Sequence, residues 1–298
     1  HNGFKIVLRN KSFYGDQIQK LYKRIINQSF VNGTGKLIKK NVKEEYITEL
    51  LKKSGPFPNC KVIWDCGNGA TGEIISTIIK NIPGQHTVLF SEIDGNFPNH
   101  HPDPTIEKNL KHLKVAMKNK NADIGISFDG DGDRIGIVSK DGNLISGDML
   151  TAYLSGSILE KNPKKPIILD VKSSETAVKS IERQNGCAII SKTGHSLIKN
   201  KIREFDAPLA GEMSGHIFFN DKWYGFDDAI YAALRFLEEM HVRKKSIETF
   251  LHYIPQSFAS PEIRINCQEE EKFKIIENVK ELVLEDYSPS ELLLIDGI

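Results

Sequence analysis

Residues 123–139 read Asp123-Ile-Gly-Ile-Ser-Phe128-Asp129-Gly130-Asp131-Gly132-Asp133-Arg134-Ile135-Gly-Ile-Val-Ser139. Two short apolar, β-rich runs, Asp123 to Phe128 and Ile135 to Ser139, predict strands on either side of a loop. Lys140-Asp141-Gly142-Asn143 follows as a turn. Within the loop, Asp129, Asp131 and Asp133 alternate with glycines and run into Arg134. Carboxylates this close repel one another unless a cation neutralises them or they splay into water. Their hard oxygens suit Mg²⁺, Mn²⁺ or Ca²⁺, and the glycines permit a tight turn that aims alternate side chains at one point. An EF-hand is excluded, because counting from Asp129 its glycine and glutamate positions hold Arg134 and Lys140. An aspartyl-phosphate nucleophile at Asp129 stays open. A solvated acidic turn is the plainest alternative, and the glycines and flanking strands argue against it.

Moving outward, strand and helix alternate. The pattern predicts a helix from Tyr46 to Lys53, a strand from Lys61 to Asp65 and a helix from Glu73 to Lys80. Gly67 to Gly72 (GNGATG) between them is literally G-x-G-x-x-G, with Glu92 and Asp94 spaced to hold a ribose. Glycines there also serve simple strand-to-helix packing, and no second nucleotide-binding half follows. His100, His101 and Asp103 sit in a proline-rich loop, where adjacent histidines read as surface residues. Helices are expected over Thr105 to Asn119 and Gly147 to Glu160. Next come strands Ile167 to Val171, Cys187 to Ser191 and Pro208 to Gly211, with helices from Glu175 to Gln184 and from Ser196. Phe218 to Trp223 reads as a hairpin and Asp227 to Met240 as a long helix. Beyond Pro255, strands Glu262 to Asn266 and Leu292 to Ile295 flank a helix from Glu269 to Leu284. This grammar is that of an α/β protein: tandem α/β domains with mixed sheets flanked by helices.

Three polar loops follow strands in the second half: Lys172-Ser173-Ser174, Lys192 to Ser196, and Gly211-Glu212-Met213-Ser214-Gly215-His216. The carboxyl ends of strands form the ligand crevice in open α/β sheets. Taken singly, His195 also suits a helix cap and Lys172 a surface position. Glu212, between glycines and followed by Ser214 and His216, offers the hydrogen-bonding groups that hold sugar hydroxyls.

The chain has 298 residues, enough for about two domains. A net charge of +1 gives no case for nucleic acid or an acidic membrane surface. The lysine-rich stretch Lys36 to Lys43 reads as a solvated linker. Four scattered cysteines suit a reducing cytosol, and no apolar run nears the roughly 20 residues of a membrane span, so a cytoplasmic setting is expected. At the amino end Gly3 to Leu8 reads as a strand that starts mid-pattern, and Asp16 is the expected cap of the helix that carries Ile18, Leu21, Tyr22, Ile25 and Ile26.

Together, DGDGDR at 129–134, KTGHSLIK at 192–199 and GEMSGH at 211–216 resemble the α-D-phosphohexomutases, and within them the bacterial phosphomannomutase/phosphoglucomutase branch. The resemblance implies an isomerase that moves a phosphoryl group between O6 and O1 of mannose or glucose phosphate through a phosphoserine and a hexose 1,6-bisphosphate. It assigns Asp129, Asp131 and Asp133 to Mg²⁺ and Arg134 to the phosphoryl and sugar region. Lys5 and His195 become candidate proton-transfer groups, Lys172 a substrate contact, and Glu212 and Ser214, with His216 beside them, the grip on the O3 and O4 hydroxyls. Gly67 to Gly72 becomes a structural turn. Met213 favours mannose and glucose phosphates over the glucosamine phosphate of related mutases. Phosphoglucosamine mutase is therefore the runner-up, and a non-catalytic sugar-phosphate-binding module the alternative of another class.

The family's four-domain plan implies the end of a first domain plus linker at 1–40, a second domain with the metal loop at 41–146, a third with the sugar loop at 147–255 and the start of a fourth at 256–298. The only partner implied is a small sugar phosphate, bound by a monomer, with no nucleic acid and no membrane. The family's Thr-Ala-Ser-His-Asn-Pro serine loop is expected before Asn2, where only His1 stands, and the phosphate-binding loop of the fourth domain is not in the sequence. The chain as written is thus expected to bind hexose phosphate weakly and turn over none.

Overall fold

A computed structural model describes residues 4–9, 11–244, 246–254, 265–268, 270–288 and 295. In chain order the elements are β1 (Val7–Leu8), β2 (Lys11–Ser12), α1 (Asp16–Ile26), α2 (Lys43–Lys52), β3 (Lys61–Asp65), α3 (Gly72–Ile78), β4 (Gln85–Leu89), α4 (Lys111–Lys120), β5 (Ile124–Phe128), β6 (Ile135–Val138) and β7 (Leu144–Ile145). There follow α5 (Gly147–Leu154), α6 (Gly156–Lys161), β8 (Pro166–Asp170), α7 (Glu175–Arg183), β9 (Cys187–Ser191), α8 (His195–Phe205), β10 (Leu209–Gly211), β11 (Ile217–Phe219), α9 (Ala229–Arg243), α10 (Ile247–His252) and α11 (Lys272–Asp286).

Two mixed sheets carry the architecture, as the alternating pattern requires. One has the order β4-β3-β5-β6-β7, with β3 parallel to β4 and β5, and β5, β6 and β7 antiparallel. The other has the order β11-β10-β8-β9, with β8 parallel to β9 and β10, and β11 antiparallel. Strands β3, β5, β6 and β8 are almost wholly buried, as expected of strands covered on both faces. Trp64 and Phe128, stacked 6.3 Å apart, join β3 to β5 inside the first sheet's core.

A single apolar cluster runs from Ile47 and Trp64 through Phe128, Tyr153 and Leu169 to Phe236 and Ile247, so the two sheets share a core. Its spine is α9, buried continuously from Ala229 to Glu239. Arg235 lies inside this spine, held by two hydrogen bonds to Asp221 at 2.7 and 2.8 Å and packed 4.3 Å over the Phe219 ring. Trp223 stacks on Tyr231 at 4.3 Å. Loop 220–228 is thereby pinned against the helix that follows it.

Several boundaries differ from the sequence reading. Asp16 is the first residue of α1, Gly15 holds the cap position, and no side chain caps this helix. The helix expected over Thr105 to Asn119 starts as a 3₁₀ turn, Glu107–Leu110, before α4. The one expected over Gly147 to Glu160 is broken at Ser155 into α5 and α6. The reversal expected within Phe218 to Trp223 falls earlier: Gly215, at φ +91°, turns the chain so that β11 lies back on β10. Strands β4 and β7 were not anticipated, being short and only partly apolar. Helices α1 and α11 bury no residue, leaving Tyr22, Ile25 and Ile26 of the first and Phe273, Ile276 and Leu282 of the second exposed. Positions 262–264 and 292–294 of the two late strands, with Glu269, lie outside the described residues, and 265–268 form no strand.

Candidate active site

The aspartate loop is organised by Asp129 at the end of β5. One of its oxygens accepts the backbone N–H groups of Gly132, Asp133 and Arg134 at 3.0, 3.0 and 3.1 Å, and the other accepts Arg134 Nε at 2.9 Å. Gly132 adopts φ +78°, and a β-carbon there would stand 2.7 Å from Thr71 Cγ2. The loop therefore leans on the Gly67–Gly72 turn, whose Ala70 N–H donates to the Gly130 carbonyl at 3.0 Å. A β-carbon on Gly69 would meet that same carbonyl at 2.8 Å. The glycines thus brace the aspartate loop, and the face a dinucleotide would need is filled by protein.

Carboxylate oxygens of Asp129, Asp131 and Asp133 lie within 4.8 Å of one another. Three hard anionic donors converging from one turn fit a divalent cation of the Mg²⁺ class. Burial, and next the charge of Asp133, push the Asp129 carboxyl up to about 7, so full ionisation of the set calls for a cation. Both oxygens of Asp129 already accept N–H donors, which suits a fixed ligand better than an attacking nucleophile.

Asp133 joins the two sheets' loops. Lys5, ahead of β1, donates to its Oδ2, and His216 Nε2 stands 3.4 Å from its Oδ1. The other imidazole nitrogen of His216 lies 2.9 Å from Glu212 Oε2 and 2.9 Å from Ser214 Oγ. Burial opposes charge on this ring, yet Asp133 and Glu212 outweigh it and push His216 up to about 9. The backbones of the two loops also meet: Arg134 and His216 form an antiparallel bridge, and Ile135 N–H donates to the Gly215 carbonyl at 3.1 Å. Glu212, 2% exposed, accepts the Gly194 N–H at 2.7 Å, which ties the Gly211–His216 loop to the start of α8.

His195 is the first residue of α8, with Gly194 at the cap position. Its Nδ1 faces the Lys199 ammonium at 3.4 Å, and burial, then that positive charge, hold its pKa below the ordinary histidine value. Arg134 is gripped from a second side by Asp103 Oδ2 at 3.4 Å. Lys172 lines a cleft of about 350 Å³ together with Asp103, Arg134, Met213 and Ser214. A second depression, about 430 Å³, is lined by Lys5, Asp131, Asp133 and Asp227.

The residues singled out from sequence therefore converge: Lys5, the three aspartates, Arg134, His195, Glu212, Ser214 and His216 form one linked cluster, and Lys172 borders it. Of the proline-rich loop, Asp103 and Pro104 reach the cleft. His101 is exposed, and His100 lies 3.1 Å from both oxygens of buried Asp65 as a structural pair. Sequence reasoning missed Asp170 and Asp227. Asp170, fully buried, accepts from Ser173 Oγ at 2.8 Å, Met213 N at 3.1 Å and Thr193 Oγ1 at 3.3 Å, and so knits all three polar loops. Its place at the end of β8 was the available signal. Asp227 offered none, since the Asp-Asp pair reads as a helix start.

Residues 38–142 match the family model described as phosphoglucomutase/phosphomannomutase, alpha/beta/alpha domain II, and residues 146–258 match domain III of the same family. The chain is 40% identical to a phosphomannomutase/phosphoglucomutase of Pseudomonas putida over 298 residues, covering 100% of this chain and 64% of that protein. It is 38% identical to a phosphoglucomutase of Neisseria meningitidis over 300 residues, covering 100% of this chain and 65% of that one. A crystal structure of a phosphoglucomutase/phosphomannomutase family protein from Burkholderia thailandensis superposes with a TM-score of 0.86 at 40% identity, over 94% of this chain and 59% of that one. The chain thus spans somewhat less than two thirds of the length of these relatives.

Proposed function

The chain belongs to the phosphoglucomutase/phosphomannomutase family, and on that premise we propose that the whole protein is a phosphohexomutase. It interconverts the 6- and 1-phosphates of mannose and glucose through a phosphoserine, with hexose 1,6-bisphosphate as intermediate and activator. The observation that carries this reading is His216 standing between Asp133 and Glu212. That contact joins a loop suited to phosphoryl charge to a loop suited to sugar hydroxyls in one cleft.

In this reading Asp129, Asp131 and Asp133 hold Mg²⁺, and a bound cation there supplies charge stabilisation to the phosphoryl group in flight. Arg134, oriented by Asp129 and Asp103, presents its remaining N–H donors to phosphoryl oxygens. Glu212 and Ser214 take the O3 and O4 hydroxyls, and Lys172, which lines the same cleft as Ser214, contacts the substrate. His195 accepts at Nδ1 from Lys199 and so carries its proton on Nε2, where it can donate to a substrate oxygen. Lys5 remains an ammonium, because Asp133 and Asp227 outweigh the opposing effect of its burial, and it is the charged proton donor.

The domain limits proposed are 1–40, 41–146, 147–255 and 256–298, with a monomer binding only small sugar phosphates. Among the described residues no helix is long and apolar enough to cross a membrane. A cytoplasmic setting is proposed because the four cysteines suit a reducing compartment.

The test is conversion of glucose 1-phosphate to glucose 6-phosphate by the full-length protein with a trace of the 1,6-bisphosphate, in competition with mannose and glucosamine phosphates. Turnover with mannose and glucose phosphates preferred supports the reading. A preference for glucosamine 6-phosphate moves the assignment to a phosphoglucosamine mutase, and binding without turnover leaves a non-catalytic module.

A further inference from the structure

Asp227 follows β11 and stands two residues ahead of α9. Its neighbour Asp228 already serves as helix cap, accepting the Tyr231 N–H at 2.9 Å and the Tyr46 hydroxyl at 2.8 Å. A second carboxylate is not needed to start the helix, and the Asp227 side chain is nonetheless 2% exposed. Taking an ionised carboxylate out of water is costly unless partners replace the lost hydration. Here the partners are two lysines. Oδ2 accepts from Lys5 Nζ at 2.7 Å, across 222 residues of chain, and Oδ1 pairs with Lys199 Nζ at 2.7 Å.

Lys199 in turn lies 3.4 Å from His195 Nδ1. The result is a continuous series, Lys5, Asp227, Lys199, His195, that reaches from the segment before β1 to the first residue of α8. Asp227 also comes within 4.8 Å of Asp133 and His216, a grouping a metal ion tolerates, but ammonium groups already engage both of its oxygens. The loop that bears Asp227 is rigid in kind: Asp221 is locked to Arg235, Trp223 is stacked on Tyr231, and Asp227 itself bridges to Phe218. A rigid mount and two opposed salt bridges are what a positioning group requires.

We propose that Asp227 is a positioning residue that holds Lys5 directly, and His195 through Lys199, in one fixed geometry at the mutase site. The carboxylate sets the separation of two groups carried by distant parts of the chain, so both serve a single bound sugar phosphate. Its effect falls on the chemical step, where misplacement by about 1 Å lowers the rate about 100-fold. The inference rests on the phosphohexomutase reading for its kinetic arm only.

The experiment uses the full-length protein with Asp227→Asn, Asp227→Glu, Lys199→Met and the double variant Asp227→Asn/Lys199→Met. Asp227→Asn is expected to lower kcat about 30- to 100-fold while KM moves less than about 3-fold. Asp227→Glu recovers part of the loss, and the double variant falls no more than about 3-fold below Asp227→Asn, since both substitutions break the same series. Independently of activity, the His195 ring resonance in histidine-labelled protein shifts or broadens in Asp227→Asn and in Lys199→Met. A His195 signal untouched by both substitutions, or a loss carried by KM alone, overturns the proposal. If the unaltered protein converts no hexose phosphate, the mutase reading falls and the His195 signal alone decides the role of Asp227. Should Asp227→Asn not fold, Asp227→Glu and Lys199→Met carry both readouts.

Discussion

His216 bridges Asp133 and Glu212, with Nε2 3.4 Å from one carboxylate and Nδ1 2.9 Å from the other. Both ring nitrogens face acidic oxygens, so the charged imidazolium is the form this contact selects.

That selection sets a pH dependence. The folded-state pKa of His216, about 9, lies above the value near 6.5 of an unfolded chain. The stabilisation is therefore fully present below about pH 6.5 and is lost as pH rises through about 9. In chelator, urea unfolding is expected to lose at most about 3 kcal/mol over that interval, and His216→Asn is expected to flatten the loss. An unchanged slope in the variant would place the titration elsewhere.

Mg²⁺ or Mn²⁺ is expected to bind the protein, and Asp131→Ala to weaken binding at least about 10-fold. Asp131 is exposed, so its removal is expected to alter stability by no more than about 0.5 kcal/mol. Calorimetric titration measures the first and thermal melting the second. Equal affinity in both proteins ends the metal assignment.

Asp170→Ala strips three donors, Ser173, Met213 and Thr193, of their common acceptor in a buried place. Stability is expected to fall by roughly 2–4 kcal/mol, with the Gly211–His216 loop loosened. Urea denaturation gives the first, and amide exchange at Met213 reports the second. A loss under about 1 kcal/mol would mean that the loops hold one another without this carboxylate.

Gly132→Ala forces a β-carbon onto Thr71 at a positive φ that L-residues avoid. A stability loss of about 1–2 kcal/mol is expected, together with weaker metal binding. The companion change Gly132→Ala/Thr71→Ser removes the clash and is expected to return part, though not all, of the loss. No gain in the double variant would assign the whole effect to backbone strain.

Local chemistry was legible from the residues alone. The bounds of β3 and β9 follow from short apolar runs closed by turn signals, and the aspartate loop follows from alternating Asp and Gly between two such runs. The resemblance to phosphohexomutases, borne out by the family match, rests on these same local signatures. Strand β4 escaped because Gln85-His86-Thr87 carries little apolar signal, and its strand state comes from pairing with β3 across the whole of Lys61 to Asp65. Asp227 and Asp228 are equivalent in sequence, two acids before a helix. Folding separates them: the second turns to the N–H groups of its own helix, while the first is buried beside lysines that only the packed chain brings to it. Helix capping acts over three residues and is written in the sequence. A salt bridge across 222 residues depends on where two sheets and their loops come to rest, and that is decided by the shared core.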